Sequence, residues 1–127
     1  EALPDLGLSK EVAQTAALID VVWVASDSEE VVCAFEVEKT TSIHSGILRL
    51  DDLAKSLGNQ PMHLFLVAPD SREREVRAQL CRPAFAHLGG SRIHYMLFSD
   101  LCEHCAGLCK FAQDYRALLR IARSKDD

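Results

Sequence analysis

The sequence predicts an α/β domain whose mixed β-sheet is flanked by helices on both faces. Two stretches, residues 18–25 and 31–39, are rich in β-branched and aromatic residues and are joined by the polar turn SDSEE, which is typical of a β-hairpin. Downstream of this hairpin, apolar stretches of strand type alternate with stretches of helical periodicity. A hairpin followed by such alternation indicates a sheet with antiparallel and parallel strands, covered on both sides.

The remaining elements are predicted from capping residues, periodicity and turn residues. The third strand is nearly all apolar, so we expect it at the centre of the sheet. The final helical stretch is expected in two pieces, and the polar tail after it is expected to fray. In chain order we predict a helix over 10–17, the hairpin, a Ser/Thr-rich bend over 40–45, a helix over 47–57 closed by Gly58, a strand over 62–68, a helix over 72–81 capped by Ser71, a strand over 92–98, helical pieces ending near 122, and a tail over 123–127.

Length and composition fit one globular domain. Of the 127 residues, 48% are apolar and 26% are charged, so we expect a single domain over residues 1–127, standing alone or within a longer protein. No apolar stretch is long enough to span a membrane and no signal peptide is recognised, so we expect a cytoplasmic location. The five cysteines are then expected to be reduced thiols.

A cysteine-rich segment near the C-terminus has a spacing that resembles that of metal ligands. Cys102, Cys105 and Cys109 lie around His104, and a zinc site would need a further ligand pair from elsewhere in the chain. The three cysteines also share one face of a predicted helix with two leucines, where free cysteine packs as a small apolar residue. Structural zinc is therefore not expected.

Three acidic residues are brought together by the predicted hairpin. Glu36 and Glu38 are two positions apart on a strand, so they point to the same side. If Ala25 pairs with Val31 across the turn, Asp20 lies directly opposite Glu36 on that side. Three converging carboxylates repel one another unless a cation neutralises them, and Mg²⁺ prefers such oxygen ligands. This pattern indicates a metal site, with a simply solvated hairpin face as the alternative.

Asp20 followed by Glu36-Val37-Glu38 resembles the signature of the PD-(D/E)XK nuclease superfamily, which includes restriction endonucleases. The predicted order of elements is similar to the restriction endonuclease-like core of that superfamily over most of the chain. The segment FEVEKTTSIHSGILRLDDL, followed by LFLVAPD, also resembles an uncharacterised bacterial nuclease-like group within it. The resemblance implies a nuclease that uses Mg²⁺ or Mn²⁺.

The resemblance also implies roles for individual residues. Asp20 and Glu36 match the two acids that bind the metal, and Glu38, a third candidate ligand, stands where the superfamily usually has Lys. Either Glu38 or Lys39 would then orient or deprotonate the attacking water. By strand alternation Lys39 is expected to face away from Glu36, unless a bulge re-aims it. The implied catalytic residues are thus Asp20, Glu36, Glu38 and Lys39.

The segment after the second strand holds candidates for DNA contact. Ser42 and His44 lie where a helix begins, and hydroxyls and backbone N–H groups at such a position suit phosphate binding. Ordinary helix capping is the alternative explanation. Arg49, further along the same helix, is the third candidate, with a solvated arginine as the alternative. The arginines within 72–82 alternate with glutamates, which is typical of a solvated helix face.

Two functions agree with these patterns. The first is a metal-dependent nuclease domain that hydrolyses DNA, as a monomer or a homodimer. The second is a catalytically inactive, nuclease-like module that binds nucleic acid or regulates another activity. The net charge of −5 and the glutamate at position 38 favour the second, because proteins that bind DNA through charge are usually basic. The intact acidic trio favours the first.

Overall fold

A four-stranded sheet lies between two layers of helices in the computed structural model, which describes residues 9–28, 30–58, 61–88, 93–110 and 115–126. This arrangement confirms the predicted fold class. In chain order the elements are helix α1 (Lys10–Ala17), strands β1 (Val21–Val24) and β2 (Val31–Val37), helix α2 (Ile43–Ser56), strand β3 (His63–Ala68), a 3₁₀ turn (Asp70–Arg72), helix α3 (Glu73–Leu80), a second 3₁₀ segment (Pro83–Leu88), strand β4 (Ile93–Leu97), and helices α4 (Phe98–Lys110) and α5 (Tyr115–Ile121).

The sheet is mixed, with its strands in the order β1-β2-β3-β4. Strands β1 and β2 form the predicted antiparallel hairpin, whereas β2 pairs with β3, and β3 with β4, in parallel. Strand β3 therefore lies at the centre, as its apolar sequence predicts. Its residues from Leu64 to Ala68 are buried, because helices cover both of its faces.

Two cores lie on opposite faces of the sheet because strand side chains alternate between those faces. Helices α1, α2 and α3 cover one face, and the buried residues of that core include Ile47, Leu50, Leu66, Val76 and Tyr95. Helices α4 and α5 cover the other face, where Phe35, Phe65, Val67, Met96 and Leu118 are buried. Glu36 alternates with Phe35 and therefore points toward the side of α2.

Helix α2 begins at Ile43, earlier than the start near residue 47 that the spacing of its apolar residues predicts. Ser42 has an extended conformation, and its hydroxyl oxygen accepts the Ser45 N–H at 3.1 Å. This N-cap makes the last part of the Ser/Thr-rich segment the first helical turn. At the other end Gly58 has a φ of +66°, and it closes the helix as expected.

The prediction of a frayed tail is wrong for residues 123–125. The Tyr95 N–H donates to the Arg123 carbonyl at 2.9 Å, and the Arg123 N–H donates to the Tyr95 carbonyl at 2.8 Å. The Arg123 guanidinium also pairs with Asp100 at 3.0 Å and with Glu73 at 3.1 Å. The tail is therefore attached to β4, α3 and α4.

The prediction of a solvated face with local pairs for the arginines within 72–82 is incomplete for two of them, although the local pair of Arg72 with Glu75 is present at 2.9 Å. Arg77 donates to the Tyr95 hydroxyl at 3.0 Å and to the Lys125 carbonyl at 3.2 Å. Arg72, in the 3₁₀ turn before α3, donates to backbone carbonyls next to the acidic strand β2. By contrast, Arg74 is exposed, as expected for a solvated position.

No helix in the described ranges is long and apolar enough to cross a membrane. Cys102 is exposed on α4, as is His104. The side chains of Cys105 and Cys109 lie outside the described residues, so the expectation that structural zinc is absent stays a prediction.

Candidate metal centre

The hairpin places the three acids on one side of β1 and β2. Val21 pairs with Phe35, and the same register continued by one residue sets Asp20, which immediately precedes β1, opposite Glu36. Glu38 follows the last residue of β2, and its N–H donates to the Val67 carbonyl of β3 at 2.8 Å. One carboxylate oxygen from each of the three acids lies within 4.8 Å of the others. The predicted convergence of the carboxylates is present.

The register differs from the prediction only at the turn end of the hairpin. Val24, and not Ala25, pairs with Val31, because a bulge follows the Trp23 pair with Cys33. An extra residue in one strand displaces only the pairs on the turn side of the bulge. The pairing next to the acids therefore keeps its predicted register.

The two glutamates are buried, and the guanidinium of Arg49 contacts both of them. Glu36 is 1% exposed and Glu38 is 2% exposed. Nη2 of Arg49, which extends from α2, donates to Glu36 Oε2 at 2.8 Å and to Glu38 Oε1 at 2.9 Å. Because a buried carboxylate without a partner is costly, this guanidinium is the main stabilising contact of the pair.

One oxygen of the pair has no such contact. Glu38 Oε2 accepts a hydrogen bond from the Thr41 hydroxyl, so both oxygens of Glu38 have partners. Glu36 Oε1 is buried and has no hydrogen-bond partner among the residues that the structure describes. A buried acceptor without a partner is rare in a folded protein, and it marks a position that a ligand or ion can fill.

The proximity of the acids changes the proton affinity of Glu38. Burial raises the pKa of the Glu38 carboxyl to about 7, and the neighbouring Glu36 carboxyl adds to this rise. The Arg49 guanidinium acts in the opposite direction. The raised pKa of Glu38 means that burial and the Glu36 carboxyl together outweigh the Arg49 guanidinium.

Gly46 allows α2 to approach this centre closely. A Cβ atom at position 46 would lie 2.6 Å from Glu38 Oε1, the oxygen that Arg49 contacts. Glycine lacks this atom, so the helix backbone can pack directly against the buried carboxylate. Gly46 and Arg49, one helical turn apart, thus place α2 over the glutamates.

The segment after β2 is held by Arg72, which the sequence patterns do not single out. Its Nη1 donates to the carbonyl oxygens of Thr41 at 2.7 Å and Glu38 at 3.2 Å. Its Nε and Nη2 donate to the Glu75 carboxylate at 3.0 and 2.9 Å. Only the position of the 3₁₀ turn beside the segment that follows β2 reveals this role, because the sequence shows nothing beyond a local Arg–Glu pair.

Three of the other candidates from the sequence, Lys39, Ser42 and His44, lie around the centre and not within it. Lys39 is exposed, and no ion pair joins it to the three acids. Ser42 caps α2, and the His44 ring packs against Phe85 with 5.4 Å between centroids. Arg49 contacts both glutamates and is therefore not a freely solvated arginine, whereas its contact with DNA stays a prediction.

The donor set fits a divalent cation. Asp20, Glu36 and Glu38 supply only carboxylate oxygens, which are the ligands that Mg²⁺ and Mn²⁺ prefer. The acids carry three formal negative charges against the single positive charge of Arg49. The buried oxygen of Glu36 that has no described partner belongs to the same group, so the donor set includes an acceptor that a cation would satisfy.

Fold and site together define an α/β protein with an acidic centre carried on a β-hairpin. The chain belongs to the family of the type II restriction enzyme NmeDI C-terminal domain, and the model of that family matches residues 1–117. No curated protein and no solved structure matches the chain. The resemblance to restriction endonucleases is therefore confirmed at the level of a restriction-enzyme-related family.

Proposed function

We propose that the chain is a nuclease domain of the PD-(D/E)XK type that hydrolyses phosphodiester bonds in DNA with Mg²⁺ or Mn²⁺. The observation that carries this proposal is the group of three carboxylates within 4.8 Å, whose most buried member has an oxygen without a described partner. Membership in a restriction-enzyme-related family supports DNA as the substrate.

Asp20, Glu36 and Glu38 are the residues that would hold the cation. When bound, a divalent cation lowers the pKa of water and stabilises negative charge on a phosphate. The protein's share is to fix the three carboxylates in place. Glu36 and Glu38 are fixed by burial and by Arg49, and Asp20 is fixed by a hydrogen bond to the backbone of β2.

Roles for Glu38, Ser42 and His44 are proposed from their positions around the three carboxylates. Glu38 is the residue proposed to accept a proton from the attacking water, because Lys39 next to it is exposed and makes no ion pair with the acids. Ser42 and His44, at the start of α2, are proposed to contact the DNA backbone. A bound divalent cation would neutralise the acidic centre, which lowers the electrostatic cost of DNA approach to a protein with a net charge of −5.

A cleavage assay tests the proposal. Plasmid and single-stranded DNA are incubated with the protein in Mg²⁺, Mn²⁺ or EDTA, beside the variants Glu36→Gln and Glu103→Gln. We expect cutting that depends on the cation and disappears in Glu36→Gln. The Glu103→Gln control removes an exposed glutamate of α4 and is expected to cut as the wild type does. Absence of cutting together with absence of calorimetric Mg²⁺ or Mn²⁺ binding contradicts both the nuclease and the metal centre.

The second candidate is a catalytically inactive, nuclease-like module that binds DNA. The observation that favours it is the contact of Arg49 with Glu36 and Glu38, because a protein cation already occupies part of the centre. This candidate predicts DNA binding that EDTA leaves unchanged and no calorimetric signal with Mg²⁺. The nuclease predicts the opposite for both measurements.

A further inference from the structure

Arg49 makes an unusual contact with the two glutamates. A guanidinium commonly binds a carboxylate with two parallel N–H donors. Here one nitrogen, Nη2, contacts both Glu36 and Glu38, whereas the buried Nε of Arg49 has no hydrogen-bond partner among the described residues. The Nε–H of Arg49 is therefore a donor without a described partner, and Glu36 Oε1, in the same ion pair, is an acceptor without one.

The two buried atoms without partners, Glu36 Oε1 and Arg49 Nε, require partners of opposite charge. Glu36 Oε1 is an acceptor that a cation satisfies, and Arg49 Nε is a donor that an anionic oxygen satisfies. Both belong to the same ion pair, so a cation and an anion arriving together would satisfy both at once. A metal-bound phosphate group of a nucleic acid has this combination of charges.

The Arg49 side chain has room for such a change. It is 31% exposed, while the carboxylates that it contacts are 1% and 2% exposed. The guanidinium thus lies at the solvent side of the buried pair, at the end of a long flexible side chain. Such a side chain can change partners by rotation about its own bonds.

From these contacts we infer that Arg49 exchanges partners: it neutralises Glu36 and Glu38 when no cation is bound, and it turns to a phosphate oxygen of the DNA when the acids hold a cation. This inference rests on the proposed function and assigns Arg49 as a positioning residue with two alternative partners. The guanidinium and the cation then compete for the same carboxylates, whereas the cation and the DNA phosphate support each other's binding. Linkage requires that this support is reciprocal.

Calorimetric titration with Mn²⁺ in the absence of DNA tests the competition. The proteins are the wild type, Arg49→Met and Arg49→Gln, with Arg74→Gln as a matched control that removes an exposed arginine of α3. We expect Arg49→Met to bind Mn²⁺ at least about tenfold more tightly than the wild type, because a positive charge near the ligands is gone. Arg49→Gln, whose amide still donates to one glutamate, is expected to show the same direction if Arg49→Met does not fold. Arg74→Gln is expected to match the wild type.

A second arm measures the affinity for a short DNA duplex in EDTA and in Ca²⁺, with the same proteins. We expect the gain in DNA affinity on addition of Ca²⁺ to be smaller in the Arg49 variants by about tenfold, since the phosphate donor is missing. Equal or weaker Mn²⁺ binding in both Arg49 variants, or an unchanged gain in DNA affinity, overturns the exchange while the metal centre stands. Absence of Mn²⁺ binding in every protein overturns the metal centre itself, and with it the exchange.

Discussion

The carboxylate of Asp20 accepts the backbone N–H of Val37 at 2.7 Å, so the first acid of the centre is attached to the residue between the other two. Asp20 is exposed, in contrast to Glu36 and Glu38. This single hydrogen bond fixes its position at the end of the hairpin. Asp20 therefore has two separable properties, a hydrogen bond that asparagine can imitate and a charge that asparagine lacks.

The variant Asp20→Asn is expected to keep the fold and to lose the cation. Its amide oxygen still accepts the Val37 N–H, so the free energy of unfolding should change by less than about 1 kcal/mol. Mn²⁺ affinity, measured by calorimetry, should fall by at least roughly 100-fold because a charged ligand is removed. The control Asp52→Asn removes an exposed acid of α2 and should change neither quantity. Unchanged Mn²⁺ affinity in Asp20→Asn would exclude Asp20 from the ligands.

The variant Gly46→Ala is expected to affect the centre more than the fold. Alanine gains about 1 kcal/mol over glycine within a helix, which offsets only part of the cost of displacing the buried Glu38 carboxylate from its partners Thr41 and Arg49. The displaced Glu38 oxygen, however, is the one that Arg49 contacts. We expect a thermal midpoint below that of the wild type together with weaker Mn²⁺ binding and slower DNA cleavage. A variant with full Mn²⁺ affinity would show that close packing at position 46 is not required.

The variant Arg72→Met is expected to loosen the segment between β2 and α2. Removal of the guanidinium leaves the Glu38 and Thr41 carbonyls without these donors. A loss of about 1–3 kcal/mol in the free energy of unfolding follows from the charged hydrogen bonds. Hydrogen exchange at the amides of 38–42 should quicken, whereas Arg74→Met should leave it unchanged. Exchange rates equal to those of the wild type would remove Arg72 as a support of the centre.

The pairing of Asp100 with Arg123 predicts a loss of stability in acid. The hydrogen bonds from Arg123 hold the pKa of the Asp100 carboxyl below its ordinary value, and the Leu97 N–H adds to this effect while Asp70 opposes it. A depressed pKa in the folded state gives stability that is present above the unfolded pKa of about 3.9 and is lost as pH falls through the folded pKa.

The variant Asp100→Asn measures this contribution. Urea unfolding at neutral pH should show a loss of about 1–2 kcal/mol relative to the wild type, since the ion pair is absent. The difference between the two proteins should shrink as the pH is lowered below 4, because the wild-type carboxyl is then protonated as well. A difference that stays constant with pH would indicate that the Asp100 charge does not contribute to stability.

The hairpin shows why part of the centre was predictable from sequence. In an antiparallel pair, the residue numbers of directly opposed positions have a constant sum. The placement of Asp20 near Glu36 therefore followed from the strands alone. The bulge near Val24 was not predictable, because it depends on how the turn closes and not on strand periodicity. It left the acids in register only because it lies at the opposite end of the hairpin.

The contacts of the arginines were not predictable for a different reason. Local spacing pairs Arg72 with Glu75, and this pair is present at 2.9 Å. The same side chain also reaches carbonyls more than thirty positions earlier in the chain, and Arg77 reaches Lys125. Such partners depend on how α3 packs on the sheet, and a helical periodicity carries no information about them. The attachment of the tail through Arg123 was not predictable for the same reason, because its partners Glu73 and Asp100 are distant in the chain.

The charged residues of the centre, Asp20, Glu36, Glu38 and Arg49, all lie in one continuous stretch of the chain. A hairpin closes within microseconds, whereas parallel pairing with β3 requires a crossover through α2 and is slower. The carboxylates therefore meet early in folding, before Arg49 of α2 packs against them. Salt screens the repulsion between carboxylates in the partly folded chain, so we expect refolding to accelerate with ionic strength. The charges that form the finished site therefore also slow its assembly.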